Sequence, residues 1–506
     1  MPSEWLVSVG QQWILDCKKN HGKLCSGGCD TRLPTRVLDV GPPSVSEDVR
    51  LAISNGLKGR YATLSHRWGN SRPVTLTKEK YQEFLRNIPF ISLPRTFQDA
   101  VTVTRKLGIR YLWIDSLCIL QDCKDDWEKA VIEMPQIYRH GEVNICGPAA
   151  ASCDAGFLHP RQVPTEWLDI EWHGFGGNCA EMLRLIYKGP MEDHMPPKER
   201  EAVLSTRGWI LQERLLCRRM LYFGSQQMYW ECNTHANYES LHFPVPHDYQ
   251  IDDEVAKFSF NTIKPSSSWL RTWYELVKTY SEMELTEQTD KFPAISALAS
   301  AFSEILDDKY VAGLWRSDLR RGLTWHIPEY IEAPERADQC GSYIAPSWSW
   351  ASTTSQVAFC NIVYDLHASD TELVDPLVVP QTANPFGELT ESRLTLNGSP
   401  FTARVKKCDH KFVPGRRVWK AFLNAANVEL GTFYPDHAIL EGVHNFSFLE
   451  VGQFTEPTVD KIAIAIGKSL VDPAKYCRQG LLVAKGSSDS AFDQVERGSR
   501  TTFELI

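Results

Sequence analysis

Hydrophobic and polar positions follow two different rhythms between Val49 and about Asn237. Short apolar runs rich in branched and aromatic side chains are typical of buried strands, and longer stretches with an apolar residue every three or four positions are typical of amphipathic helices. The predicted strands are VRLAI, RYATLSH, RYLWID and EVNICGPAA, and the predicted helices are TKEKYQEFLRNI, TFQDAVTVTRKLG and DDWEKAVIEMPQIYRHG. Strands that alternate with helices through short connections indicate an α/β fold, with a parallel sheet flanked by helices.

Further signals refine this pattern. In the second predicted helix, Thr96 is the expected N-cap and Gly108 the expected residue just after the last turn. Further along, RGWILQERLL predicts another helix, and RRMLYFGSQQMYWEC predicts two short strands around a glycine turn.

The same patterning divides the chain into four segments. Residues 1–48 are predicted to hold an N-terminal helix and a turn-rich connector, LPTRVLDVGPPS. Residues 49–237 form the α/β domain, residues 238–310 a helical segment, and residues 311–506 a β-rich C-terminal domain. Within that last domain, the irregular stretch VDPLVVPQTANPFGE is predicted to be a loop.

Charge and composition exclude several classes of protein. The chain has 54 Lys+Arg against 63 Asp+Glu, a net charge of −9, so it lacks the basic surplus of a nucleic-acid-binding protein. No run of about 18 uncharged apolar residues is present, so no membrane span is expected. The start, MPSEWLVSVG, does not have the pattern of a secretory signal. These features predict a soluble, cytoplasmic protein.

One group of cysteines has the spacing of metal ligands. Cys17, His21, Cys25 and Cys29 follow one another at regular intervals, and Cys17 and His21 would share one face of a helix. With the loop CSGGC, the four side chains form a candidate structural zinc site. The alternative is that the glycine pair only makes a turn. The cysteines within apolar runs are expected to be buried free thiols: Cys118, Cys146, Cys217 and Cys360.

Candidate binding residues lie where the predicted strands end. Ligands of open α/β sheets bind beyond the carboxyl ends of the strands. Trp68 and Trp209 are placed to stack on a planar ligand. Asp115 either caps the following helix or bonds a ribose hydroxyl, and the run Gln212–Arg214 forms either an ion-pair network or a polar ligand wall. We expect one cleft to be lined by Ser65, His66, Trp68, Gly69, Asp115 and Trp127, and closed by Arg207, Trp209, Gln212 and Glu213.

The same segments carry a resemblance to a known family. Three blocks resemble the motif blocks of the fungal heterokaryon-incompatibility (HET) domain: YATLSHRWG, LPRTFQDAVTVTRKLGIRYLWIDSLCILQDCKDDW and STRGWILQERLLCRRMLYFG. They occur in order over about residues 50–235. Shorter pieces resemble the surroundings of that domain in filamentous fungi: the CxxxHxxxC-type start, LPTRVLDV, YVAGLWRSDL and APSWSWAS.

The resemblance implies a fold and an activity. It implies a domain distantly similar to TIR domains, which acts in allorecognition and in the programmed cell death of incompatible hyphal fusions. Enzymatic TIR-like domains cleave the nicotinamide–ribose bond of NAD, commonly only in oligomers. In this chain the segment LSHRW would be the first strand and its following loop, and the helix of Trp127 would carry the catalytic acid.

Two positions depart from the family pattern. His66 stands where the first block commonly has Tyr. The family usually has Glu three residues after Trp127, where this chain has Ala130, although Met134 keeps the register. Cleavage of an N-ribosyl bond needs a carboxylate near the ribose. The chain is therefore expected to be a naturally inactive copy or an engineered inactive variant, and Glu133 is the only neighbouring acid placed to substitute.

Two hypotheses follow for the function. In the first, the chain is a cell-death effector that binds and hydrolyses NAD-type nucleotides as a homo-oligomer, without a required cofactor and with an incompatibility partner protein. Its predicted catalytic positions are Asp115 and Ala130, the family Glu position, so its nucleosidase activity is expected to be weak or absent. In the second, the chain is a non-enzymatic HET module that signals by self-assembly or partner binding. If Ala130 faces the cleft, a Glu there should leave stability nearly unchanged; if it faces the core, a Glu should destabilise the fold.

Overall fold

The chain divides into two compact units, Met1–Asn261 and Thr262–Ile506. The structure is a computed structural model. It describes residues 2–25, 31–42, 48–69, 74–148, 150–159, 167–173, 180–186, 206–225, 227–239, 245–246, 266–334, 343–360, 364–410, 413, 416–423, 428–440, 442–454, 459–486 and 491–506.

The first unit combines helices with a large sheet. Its helices are α1 (Pro2–Asn20), α2 (Gly22–Cys25), α3 (Tyr81–Arg86), α4 (Arg95–Lys106), α5 (Asp115–Cys118), α6 (Lys124–His140) and α7 (Gly208–Leu216). Its strands are β1 (Arg36–Asp39), β2 (Arg50–Ile53), β3 (Tyr61–Ser65), β4 (Tyr111–Trp113), β5 (Val143–Cys146), β6 (Trp167–His173), β7 (Ala180–Ile186), β8 (Arg219–Phe223), β9 (Met228–Cys232), β10 (His235–Tyr238) and β11 (Val245–Pro246).

Nine of these strands form one sheet with parallel strands at its centre. The order is β11-β10-β9-β8-β5-β3-β4-β1-β2, and β6 pairs with β7 in a separate hairpin. The strands β4, β3, β5 and β8 are mutually parallel, whereas the flanking strands on both sides are antiparallel. Strands β3 and β5 are buried along their whole length, as expected for the centre of a covered sheet.

The ends of α4 confirm one predicted cap and correct the other. Gly108 has φ +68°, and its N–H bonds the carbonyl of Arg105 while that of Ile109 bonds Thr104, which is the pattern of a Schellman motif. The predicted N-cap Thr96 is wrong, because the N-cap is Pro94. The Thr96 hydroxyl instead donates to the carbonyl of Ser152 and accepts from the N–H of Gly156.

The predicted connector before residue 48 contains a strand. β1 pairs with β4 on one side and β2 on the other, both antiparallel. It has only four residues, and their burial does not alternate, so it lacks the period-two pattern that identifies strands from sequence.

The second unit begins with helices and continues mainly as strands. Its helices are α8 (Ser266–Ser281), α9 (Pro293–Leu306) and α10 (Leu319–Gly322). Its strands are β12 (Tyr310–Val311), β13 (Leu314–Trp315), β14 (Trp325–His326), β15 (Ala358–Phe359), β16 (Leu366–Ala368), β17 (Glu372–Pro380), β18 (Leu389–Gly398), β19 (Phe401–Asp409), β20 (Arg417–Leu423), β21 (Val428–Pro435), β22 (Val443–Phe454), β23 (Val459–Lys468), β24 (Tyr476–Gly486) and β25 (Thr501–Leu505).

Six long strands of this unit close into an antiparallel barrel. Each of β22, β19, β20, β21, β24 and β23 pairs with the next, and β23 pairs back onto β22. Closure removes free sheet edges from the ring. The buried core of the ring includes Phe401, Val405, Phe433, Phe448 and Leu482, and Phe492 of a 3-10 helix packs with them.

The predicted loop after residue 373 is partly wrong. Residues 374–380 belong to β17, which among the described strands pairs with β18 alone, at the edge of the sheet. Pro376 and Pro380 lie in this strand, and an edge strand is where a sheet tolerates proline. A register shift between Val374 and Leu377 interrupts the pairing, which explains the irregular sequence pattern.

Together, the two units confirm a mixed α/β fold with parallel strands, followed by a β-rich C-terminal region. Among the described helices, not one is both long and apolar enough to cross a bilayer.

Candidate functional site

The site is built at the point where the parallel sheet changes direction. The chain leaves β3 and returns as β4 on one side, whereas β5, on the other side of β3, leads on to β8. Open α/β sheets bind ligands in the crevice outside such a switch point. The equivalent region in this fold, called the crevice below, lies beyond Ser65, which ends β3, and Cys146, which ends β5. These two residues pair across the strands.

A chain of buried hydrogen bonds leads along this crevice to a carboxyl group. The Thr63 hydroxyl donates to Asn144 Oδ1 at 2.8 Å, and Asn144 Nδ2 donates to Ser65 Oγ at 2.7 Å. Ser65 in turn donates a short hydrogen bond to Glu213 Oε2. Because each donor satisfies the next acceptor, the Ser65 hydroxyl proton is directed at Glu213.

Glu213 is a buried acid that titrates near neutrality. Burial raises its pKa from the ordinary 4.5 to about 7, against the lowering effects of the Ser65 hydrogen bond and the charge of Arg207. A carboxyl group with this pKa can donate or accept a proton at neutral pH. It lies close to Tyr138 of α6, whose own pKa is raised well above 10, first by burial and then by the charge of Glu213.

A second carboxylate lies beside the loop after β3. Asp115 begins α5, and its Oδ1 accepts the N–H of Ser116 at 2.7 Å. Trp68 Nε1 donates to Asp115 Oδ2 at 3.3 Å, and His66 Nδ1 lies 3.7 Å from Oδ1. The N-cap of α5 is Ile114, so the capping role considered for Asp115 is wrong. Asp115 instead bonds the loop that carries Trp68, and its side chain is 24% exposed.

His66 is buried in neutral form. Burial lowers its pKa to about 4, and the positive charge of Arg207 lowers it further, while Asp115 acts in the opposite direction. Its ring packs edge-on against Phe97. Within the part of the chain that the structure describes, His66 Nε2 is buried and has no hydrogen-bond partner.

The start of α7, in the third block, lies beside the loop after β3. Arg207, the N-cap of this helix, donates a short hydrogen bond to the carbonyl of His66. Trp209 contacts Trp127 of α6 edge-to-face, with ring centroids 6.4 Å apart. Gln212 is buried next to Glu213, and its Oε1 has no hydrogen-bond partner among the described residues.

Arg214 belongs to a separate ion pair. Its guanidinium bonds both carboxylate oxygens of Glu231 on β9, at 3.1 and 2.9 Å. Of the two alternatives considered from the sequence for Gln212–Arg214, the ion pair is present at Arg214, and the ligand wall stays a prediction.

Gly69 holds the loops after β3 and β5 together. Its φ is +74°, and an added Cβ would lie 2.4 Å from the Cβ of Ser152. The carbonyl of Trp68 also accepts the N–H of Cys153 at 3.5 Å. Only glycine permits both this backbone conformation and this close approach.

Ala130 lies on the buried face of α6. It is 8% exposed and shares its helical face with Trp127, Met134 and Tyr138. Of the neighbouring acids, Glu133 accepts a hydrogen bond from Thr35 at an exposed position before β1. The acids close to each other at this edge are therefore Asp115 and Glu213, whereas position 130 has a buried methyl group.

The structure adds residues that the sequence did not single out. Thr63, Asn144 and Tyr138 join the bonded chain and the surroundings of Glu213. A polar Asn within the apolar run VNIC is the one local signal that pointed to this role.

A candidate metal centre lies elsewhere in the first unit. The ligand atoms of Cys17, His21, Cys25 and Cys232 all lie within 4.8 Å of one another and can hold a metal ion. Cys17, His21 and Cys25 belong to the motif identified in the sequence, whereas the fourth residue, Cys232, ends β9. The predicted fourth ligand, Cys29, lies outside the described residues.

The second unit contains a shallow cavity of about 340 Å³ between α10 and β17. Its charged groups are occupied within the fold: Arg316 pairs with Asp375 at 2.9 Å, and Arg320 donates to the carbonyls of Val451 and Thr371. It is therefore a weaker candidate than the crevice of the first unit.

Comparison with known proteins identifies one family. Residues 61–213 match the family model described as heterokaryon incompatibility protein (HET). No curated protein and no solved structure matched the chain.

Proposed function

Because residues 61–213 are a heterokaryon incompatibility (HET) domain, a domain that implies a role in heterokaryon incompatibility, we propose that the crevice between β3 and β5 binds a nucleotide of the NAD type. The proposed reaction is hydrolysis of the N-ribosyl bond, in which water replaces nicotinamide at the ribose and a proton is released. We further propose that the protein acts in the cytoplasm, as an oligomer, in cell death after incompatible fusion.

The observation that carries this proposal is the meeting of three distant blocks at one sheet edge. Ser65 and His66 come from the first block, Asp115 from the second, and Arg207 and Glu213 from the third. These side chains offer chemistries that can bind the parts of a nucleotide. Carboxylates suit ribose hydroxyls, guanidinium suits phosphate oxygens, and the indoles of Trp68 and Trp209 suit a planar base.

We also propose that this chain cleaves the nucleotide slowly or not at all. Loss of nicotinamide leaves positive charge on the ribose, which a nearby carboxylate stabilises. The family resemblance assigns that carboxylate to the position of Ala130, which cannot supply it. We therefore propose binding with slow or absent hydrolysis, with Asp115 positioned toward the ribose and Glu213 the second titrating group.

Nicotinamide release by the purified full chain tests the proposal. Wild type, Ala130→Glu and Ala130→Gln are incubated with NAD, and binding is measured in parallel by calorimetry. We expect all three to bind, and only Ala130→Glu to release nicotinamide at least about 10²-fold faster than wild type. Ala130→Gln is the matched control, because it has the same size without the charge. Folded variants that do not bind NAD would contradict the proposed site.

A second candidate function is a non-enzymatic signalling module. It is favoured by the absent acid at Ala130 and by the engagement of Glu213 by Ser65 within the fold. Light scattering with and without NAD, together with the release assay, separates the two functions. Assembly without release, by wild type and by Ala130→Glu alike, would favour the module.

A further inference from the structure

Four ligand-type side chains converge from segments that are far apart in sequence. Cys17 lies near the C-terminal end of α1, and His21 is the first residue after that helix. The backbone N–H of His21 donates to the carbonyl of Cys17 at 3.1 Å. Cys25 ends α2, and Cys232 ends β9, 211 positions after His21. The three sulfur-bearing side chains are at most 1% exposed.

The spacing of the ligand atoms fits tetrahedral coordination. Zinc bonds of about 2.3 Å to sulfur and about 2.0 Å to nitrogen place neighbouring S and N ligands roughly 3.5 Å apart. Cys232 Sγ and His21 Nδ1 are 3.4 Å apart, and all four atoms lie within 4.8 Å of one another. Three thiols and one imidazole form a ligand set that zinc prefers and that magnesium and calcium do not.

The surroundings of the sulfurs suit thiolates. Arg219 Nε donates to Cys17 Sγ at 3.2 Å, and its Nη2 donates to the carbonyl of Cys25. Thr234 Oγ1 lies 3.5 Å from Cys25 Sγ. Such contacts from outside the coordination sphere orient ligands and stabilise their charge.

The charges balance when a divalent metal is bound. Three thiolates, a neutral imidazole and Zn²⁺ sum to one negative charge. The Arg219 residue is 1% exposed, and its guanidinium has no carboxylate at ion-pair distance in the described parts of the chain. A buried cation needs a nearby negative charge, and the anionic metal centre supplies it.

We propose that Cys17, His21, Cys25 and Cys232 bind a structural Zn²⁺ that fastens the N-terminal helix to the end of β9. Helix α1 already lies close to the sheet at Gly10, where an added Cβ would be 3.0 Å from the Leu221 side chain. The metal fixes the other end of the helix. The HET domain therefore depends on residues that precede its matched region at 61–213.

Metal analysis of the reduced full chain tests this site. The variants are Cys232→Ser, His21→Ala, Cys29→Ser and Cys118→Ser, each loaded with zinc and then desalted. We expect about one zinc per chain in wild type, Cys29→Ser and Cys118→Ser, and at least about 10-fold weaker retention in Cys232→Ser and His21→Ala. Cys118 is the matched control, because it is a buried thiol outside the cluster.

Cobalt substitution gives a reading that does not depend on a variant folding. Wild type loaded with Co²⁺ should show the visible absorption of a tetrahedral thiolate site, and zinc should displace it. Chelation should speed hydrogen exchange in α1 and leave exchange in the barrel of the second unit unchanged. Absence of zinc from reduced wild type, retention of iron or copper in its place, a disulfide among the cluster, or zinc loss in Cys29→Ser but not in Cys232→Ser would overturn the proposal.

Discussion

The Ser65 hydroxyl, at the carboxyl end of β3, donates a hydrogen bond to the carboxylate of Glu213 on α7, 148 positions further along the chain. This bond joins the first and third sequence blocks inside the sheet edge. It is also the last link of the chain through Thr63 and Asn144. The position of Ser65 at the crevice therefore depends on whether Glu213 is protonated.

Ser65→Ala should lower the free energy of unfolding by about 1–3 kcal/mol, because Asn144 and Glu213 each lose a buried partner. Ser116→Ala is the matched control, since the Ser116 hydroxyl is buried without a hydrogen-bond partner among the described residues. That control should change stability by less than about 0.5 kcal/mol. Urea unfolding measures both. Equal losses would show that the Ser65 bond contributes nothing specific.

Glu213→Gln should change how stability depends on pH. The pKa of Glu213 is raised from 4.5 to about 7 in the fold, so between these values the folded chain holds a proton that the unfolded chain has released. The stability of wild type relative to Glu213→Gln should therefore fall as pH rises from about 4.5 to about 7, by up to about 3 kcal/mol. Glu83→Gln, an exposed change of the same kind, should keep the wild-type profile. A constant difference from pH 4 to pH 8 would contradict the buried acid.

His66→Tyr should reveal the opposite dependence. The pKa of His66 is lowered from 6.5 to about 4, so the unfolded chain binds the extra proton between these values. The stability of wild type relative to His66→Tyr should rise as pH increases from about 4 to about 6.5, by up to about 3 kcal/mol. Parallel unfolding curves of the two proteins over this range would mean that His66 is solvated.

Gly69→Ala should destabilise the first unit more than Gly56→Ala. Both glycines have positive φ, but an added Cβ at Gly56 has nothing within 4 Å, whereas at Gly69 it meets Ser152. Holding alanine at a positive φ costs each variant roughly 1–2 kcal/mol of stability. The steric clash with Ser152 should cost Gly69→Ala about 1–3 kcal/mol more. Thermal unfolding of both variants gives the difference directly. Identical values would show that the two loops can separate without cost.

Ala130→Glu should be less stable than Ala130→Gln at pH 8 by about 1–3 kcal/mol. Ala130 is 8% exposed, so a side chain placed there loses most of its hydration. This loss costs more free energy for a charged carboxylate than for a neutral amide. The difference should narrow as the pH falls toward 5 and the new acid takes up a proton. Equal stability at both pH values would contradict the burial of position 130 in the fold.

The strands and helices most easily predicted are those with strong local patterns. The buried run at β3 and the amphipathic α6 follow from periodicity, and Gly108 marks the end of α4 because only a residue that tolerates positive φ fits there. Strands β1 and β17 escape prediction for a different reason. Their positions depend on pairing with distant strands, which short or proline-containing segments do not signal.

The candidate site was predictable only in part. The ends of β3 and β4 are visible in the sequence, so Ser65 and Asp115 can be placed near each other. Asn144 has no local pattern beyond being polar in an apolar run. Cys232 could not be predicted as a metal ligand, because it lies 211 positions from His21 and no sequence motif links residues so far apart.

The separation of Ser65 from Glu213 also imposes an order of events during synthesis. At about 5–20 residues per second, the ribosome needs on the order of ten seconds to add the 148 positions between them. During that interval the nascent chain has β3 but neither α7 nor the neighbouring β8, so the crevice lacks its third wall. The carboxyl edge can mature only once both segments have left the exit tunnel, and the start of the chain must wait longer still for Cys232. A truncated product of an interrupted message therefore lacks the assembled crevice.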